Sequence, residues 1–134
     1  IIEQKGLSNR FYFLGSHPPE QMPHYFRCAD ALLITLKKAD IFSYTIPGKL
    51  QSYLACGKPI IGALDGIGKK IIEESKSGLC AHAENAIDLA NNIFKLHNST
   101  KQIKEDYSKN AIRYFKHNFA KEKLLSDLEK ILEK

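Results

Sequence analysis

Four short, nearly unbroken apolar runs recur along the chain: Phe11–Leu14, Ala31–Leu36, Pro59–Gly62 and Leu79–Ala81. Segments with helical periodicity lie between them. A strand that faces solvent on one side alternates apolar and polar residues; a strand buried on both faces does not. Runs of this kind, alternating with helices, predict an α/β fold: a Rossmann-like parallel sheet flanked by helices. The 134 residues suit a single domain, residues 1–134. The opening IIEQKG reads as a helix end capped by Gly6. The chain is therefore expected to be a piece of a longer protein, with a first strand lying before Ile1.

Local signals place the helices. Pro18 and Pro19 stop the first strand, and Glu20 suits the first turn of a helix to Ala29. Met22, Tyr25, Phe26 and Ala29 give that helix one apolar face. KKADIFSYT reads as a polar loop. Pro47 fits the first helical position, where a missing N–H costs nothing, with Thr45 or Ile46 as the cap region and Gly57 as the stop. Asp65-Gly66 marks a turn before a helix over Ile67–Ser75. Glu84–His97, Lys101–Phe115 and Ala120–Leu132 read as three further helices, the last two parted near His117-Asn118; the final pair closes the same domain.

Charge and cysteine usage narrow the function classes. The net charge is +5, and it is uneven: residues 1–94 hold 10 Lys/Arg against 9 Asp/Glu, residues 95–134 hold 10 against 6. In the C-terminal helices the bases alternate with acids, as on a solvated face, and no basic–aromatic motif of a nucleic-acid module is present. Nucleic acid is not an expected partner, whereas peripheral contact with an anionic membrane surface stays open. Cys28, Cys56 and Cys80 are odd in number and widely spaced, without a CxxC pair. They read as buried free thiols in a reducing cytosol, not as a zinc site or disulfide framework.

In open parallel sheets, ligands bind at the carboxyl ends of strands beside helix N-termini. Two junctions qualify, Leu14–Glu20 and Ser43–Lys49. The second suits a phosphate: the N–H groups of Gly48, Lys49 and Leu50 face outward, Gly48 lets an anion approach the backbone, and Lys49 adds a point charge. The same residues also describe an ordinary helix start with a solvent-facing lysine. Asp65 and Gly66 face the same end of the sheet, although Asp-Gly is foremost a turn signal. His17 and His24 are acid–base candidates by type alone. Glu73 and Glu74 diverge around their helix, and His82, His97 and His117 lack ligand spacing.

The stretch IPGKLQSYLACGKPIIG, followed by IIEESKSGL, resembles the donor-domain signature of GT-B, retaining-type glycosyltransferases of group 1 (family 4-like). FLGSHPPEQMPHYFRCADALLI is similar to the strand–loop–helix–strand that precedes it, and NAIRYFKHNFAKEKLLSDL to the closing helices. The likeness runs through nearly the whole chain, and bacterial enzymes of O-antigen, capsule and other surface polysaccharides look most similar. The resemblance implies half of a GT-B fold with extra C-terminal helices, a nucleotide diphosphate sugar as donor, with UDP as carrier, and no cofactor or required metal. It implies a glycan or lipid-linked acceptor held by a separate N-terminal domain, so this piece would bind nucleotide without turnover. It further implies a cytoplasmic protein, peripheral at the membrane. Gly15, Ser16, His17 and Met22 would line base and ribose. Gly48, Lys49 and Leu50 would hold the diphosphate, with Lys49 the catalytic charge, and Tyr44 and Thr45 would lie beside the donor sugar. Many relatives carry glutamates at the positions of Tyr44 and Ser52; here Ser52 offers the ribose one hydroxyl. That departure keeps a non-catalytic partner subunit as an alternative. A Mg²⁺-binding receiver-type domain fits poorly, because Asp30 and Asp40 do not cluster at strand ends.

Overall fold

The computed structural model describes residues 1–133. Its centre is a parallel sheet of β1 (Leu32–Thr35), β2 (Ile60–Ala63) and β3 (Gly78–Ala81), in that spatial order. The register pairs Leu32 with Ile60 and Ile60 with Gly78. The helices are α1 (Met22–Cys28), α2 (Asp40–Ser43), α3 (Gly48–Cys56), α4 (Gly66–Ser75), α5 (Ala86–His97), α6 (Lys101–Asn118) and α7 (Lys121–Leu132). The α/β layer expected from the apolar runs is thus present, with α6 and α7 as the closing helices. No helix among the described residues is long and apolar enough to cross a membrane.

Central β2 is buried at all four positions, which is why Ile60–Ala63 shows no polar alternation. On one face, Leu32, Ile34 and Ile60 meet Leu50, Tyr53 and Leu54 of α3 and Ile71 and Ile72 of α4. The i, i+3, i+4 spacing of Leu50, Tyr53 and Leu54 aims one stripe of α3 at the sheet. Each such buried aliphatic contributes about 1.5–3 kcal/mol relative to exposure. Neighbouring residues turn the other way: Leu33 and Ile61 line a cleft with Ile93 and Leu96 of α5. The outer layer closes where α6 packs on α3, with Ala111 fully buried. Gly57 permits that approach, since a Cβ there would sit 2.5 Å from the Ile112 side chain.

One expected strand is absent. Phe11–Leu14 is not part of the sheet, and its side chains face solvent, Tyr12 at 81% and Phe13 at 84% exposure. An apolar run becomes a strand only if a sheet edge accepts it. The β1 carbonyl of Leu33 is instead taken by the Tyr53 hydroxyl at 3.3 Å. Gly6 does adopt the left-handed conformation of a cap, but it ends a single 3₁₀ turn, Glu3–Lys5. Another 3₁₀ turn, Pro19–Gln21, leads directly into α1 at Met22. Part of the KKADIFSYT loop is helical, as α2. The α6 helix continues through His117 and Asn118, so the break falls at Phe119-Ala120. Cys28 is exposed, not buried as expected, and all three cysteines are free.

Candidate functional site

The site is assembled where α1 leans on α3. Phe26 meets Tyr53 edge to face, ring centroids 5.2 Å apart. That contact joins two helices far apart in sequence and opens a cleft of about 360 Å³ between them, lined by Pro19, Met22, Phe26, Arg27, Ser52 and Cys56 among others. Met22 and Ser52, expected at the base and ribose, therefore share one cavity. Arg27 also lines it, a cation that sequence inspection missed because it falls outside the apolar stripe of α1.

The N-terminus of α3 lies one turn from Ser52. Pro47 is the capping residue, not the first helical one, and its extended backbone leaves Gly48 to open the helix. Gly48 is exposed, with no atom within 4 Å of the place a Cβ would occupy. Lys49 is exposed and, among the described residues, makes no ion pair. Leu50 points inward, fully buried, and anchors the turn. Its N–H already donates to the Pro47 carbonyl at 2.9 Å. Of the three backbone donors read from the sequence, Gly48 and Lys49 are the two not turned back on Pro47. The Ser52 hydroxyl donates weakly to the Gly48 carbonyl at 3.4 Å.

Tyr44 and Thr45 precede this terminus on the α2–α3 connection. Tyr44 is well exposed, while the Thr45 hydroxyl donates to the Ile41 carbonyl at 3.1 Å. The Gly15–His17 loop does not line the cleft. Gly15 has a positive φ of 79°, Ser16 is exposed, and His17 is held by the Leu14 carbonyl at 2.8 Å and the Tyr25 hydroxyl at 3.1 Å. His24 lies on another surface of α1, with Glu20, Gln21 and Cys28.

A second polar cluster occupies the carboxyl ends of β2 and β3. Asp65 caps α4, and its Oδ1 is 2.7 Å from His82 Nδ1; His82 Nε2 is 3.0 Å from Lys69 Nζ. The His82 hydrogen bond, the Ala83 backbone N–H and the Lys69 charge hold the Asp65 carboxyl below the usual carboxylate range. Beneath it, burial pushes the Cys80 thiol up to about 11. Spacing could not reveal this cluster, because its members come from two loops and a helix. Among the described residues, no three His, Cys, Asp or Glu side chains converge as a metal site would require.

A parallel α/β layer with a glycine-lysine helix terminus and a cleft between α1 and α3 defines a domain of the Rossmann-like class. Residues 1–114 match the family described as glycosyl transferases group 1, and the chain belongs to that family. No curated protein matches the chain. The family assigns a role in glycosyl transfer.

Proposed function

We propose that this domain binds the donor of the transfer reaction as a nucleoside diphosphate sugar, with UDP as the carrier. The observation that carries the reading is the placement of the Met22–Ser52 cleft one helical turn from the exposed Gly48-Lys49 terminus. One turn spans about 5.4 Å, the scale on which a ribose and its diphosphate are connected. The nucleoside lies in the cleft against Met22, and Ser52 meets a ribose hydroxyl. The diphosphate lies on the N–H groups of Gly48 and Lys49. Tyr44 and Thr45 border the sugar, and the base extends out of the cleft toward the Gly15–His17 loop.

Transfer breaks the bond between the anomeric carbon and the diphosphate, so negative charge grows on the leaving group. The helix terminus and the Lys49 ammonium oppose that charge where it develops, which lowers the barrier more than it favours the ground state. Such stabilisation functions without a metal. The acceptor, a glycan or lipid-linked sugar of a surface polysaccharide, binds a separate domain, and this chain alone binds donor without turnover. The lack of a carboxylate at positions 44 and 52 favours one second reading, a domain that binds nucleotide as a non-catalytic partner. Turnover of a nucleotide sugar by the full-length protein separates the two.

Calorimetry with UDP, other nucleoside diphosphates and uridine tests the site. UDP should bind the folded chain, and Lys49→Ala should weaken UDP about tenfold while leaving uridine unchanged, the effect of losing one charge-assisted contact. A folded sample that binds no nucleoside diphosphate would falsify the reading.

A further inference from the structure

We propose that Asp65, His82 and Lys69 form a positioning relay that fixes the first turns of α4, and through them the loop that presents Gly48 and Lys49. The proposal rests on the donor-site reading above for its functional meaning. Its structural content stands on the cluster geometry.

Both ring nitrogens of His82 are engaged, Nδ1 with Asp65 at 2.7 Å and Nε2 with Lys69 at 3.0 Å. A lysine ammonium only donates, so Nε2 is the acceptor. The ring proton then sits on Nδ1 and is donated to the Asp65 carboxylate. The contacts thus define one neutral tautomer, although the ring itself is largely exposed. His82 directly follows β3, Asp65 immediately precedes α4, and Lys69 is the fourth residue of α4. The imidazole therefore clamps the start of α4 to the end of β3.

The same turns are pressed from another side by the donor loop. A Cβ at Gly66 would overlap the Ser43 backbone, and one at Gly68 would come 3.3 Å from Pro47 Cδ. A shift of α4 therefore moves Ser43 and Pro47, and Pro47 caps the helix that carries Gly48 and Lys49. The relay has one alternative partner for its cation: Glu73, one turn along α4, lies 3.9 Å from Lys69. The polar contacts of His82 are Asp65 before α4 and Lys69 on α4, and the Ala83 N–H after β3 also donates to Asp65.

The test uses the isotope-labelled chain. Two-bond proton–nitrogen correlation at neutral pH should show His82 protonated on Nδ1; protonation on Nε2 overturns the proposal. In the ligand-free protein, His82→Ala should shift the amides of Gly66–Lys69 and also those of Ser43–Lys49. Changes confined to the neighbours of residue 82 overturn it. Calorimetry with UDP should show roughly threefold or more weakening in His82→Ala, the usual size of an indirect coupling, with affinity largely recovered in His82→Asn, whose amide still donates to Asp65. Equal UDP affinity in the wild type and His82→Ala overturns the relay. If the wild type binds no UDP, the donor reading fails, and the tautomer and amide shifts still decide the relay.

Discussion

Gly66 lies directly against Ser43: a Cβ on Gly66 would overlap the Ser43 carbonyl oxygen and its neighbouring backbone atoms. Gly66 also has a positive φ of 68°, where an L residue is strained by about 1–2 kcal/mol. Overpacking against backbone typically adds about 1–3 kcal/mol, because backbone cannot rotate away as a side chain can. Gly66→Ala should therefore destabilise the fold by about 2–5 kcal/mol in urea unfolding. A loss below about 1 kcal/mol would show that the two segments separate without resistance.

Lys76 presents the opposite case. It ends α4 in the left-handed region with φ 50°, while its carbonyl accepts from the Asn110 side chain at 3.0 Å. Glycine adopts that conformation freely, which offsets its larger entropy loss on folding. Lys76→Gly should raise stability by about 0.5–1 kcal/mol, read as a higher melting temperature, and Lys76→Ala should give no gain. A lower melting temperature for Lys76→Gly would contradict the account.

Much of this architecture was legible because burial on two faces leaves a direct trace. Ile60–Ala63 is apolar throughout since solvent reaches neither side, and Gly57 marks the end of α3 through its left-handed φ of 67°. Phe11–Leu14 carries the same trace and forms no strand, because apolar character does not say which edge is free to pair. Asp40–Ser43 was hidden because a four-residue helix has too few turns to show a period. The site divides along the same line. Gly48 and Lys49 announce themselves locally, whereas Met22 meets Ser52 only because Phe26 packs on Tyr53. The loss of the Leu50 N–H to Pro47 depends on how tightly the first turn closes, which residue types do not encode.

Asp65 predicts an acid limb of stability. Its carboxyl is held below the usual range mainly by the His82 hydrogen bond. A group with a depressed folded pKa binds fewer protons folded than unfolded, so its contribution is complete above the ordinary aspartate range near pH 4 and fades as pH falls through the lower folded value. The stability difference between the wild type and Asp65→Asn should be largest above about pH 4 and shrink below it. Urea melts at graded acidic pH measure this, and a difference that grows on acidification would reverse the sign.

The three thiols should react in an order set by exposure. Cys28 is exposed, Cys56 half-buried, and Cys80 is half-buried with its thiol pushed up to about 11 by desolvation. The thiolate is the reactive form, and at neutral pH Cys80 holds almost none of it. Iodoacetamide followed by mass spectrometry should label Cys28 first and Cys80 only on unfolding. Early labelling of Cys80 in the folded chain would mean that β3 opens locally.

Ser52 gives the sharpest test of where a nucleoside sits. It is exposed on α3, lines the cleft with Met22 and Arg27, and spends its hydroxyl on a weak bond to the Gly48 carbonyl. A glutamate at this position reaches farther and accepts two hydroxyl hydrogen bonds with a charged group, contacts stronger than neutral ones. It is also a better helix former than serine, so the helix tolerates it. Ser52→Glu should therefore raise UDP affinity about five- to tenfold, which corresponds to about 1–1.4 kcal/mol, while the affinity for inorganic pyrophosphate stays the same or falls. The divergence between the two probes matters more than the gain, because only a ribose within reach of position 52 produces it. Arg27 offers the new carboxylate a competing partner across the cleft. If that pair forms, UDP gains nothing in Ser52→Glu and gains fully in the double variant with Arg27→Met. No gain in either variant would remove the ribose from this cleft and leave the proposed diphosphate site of Gly48 and Lys49 to stand alone.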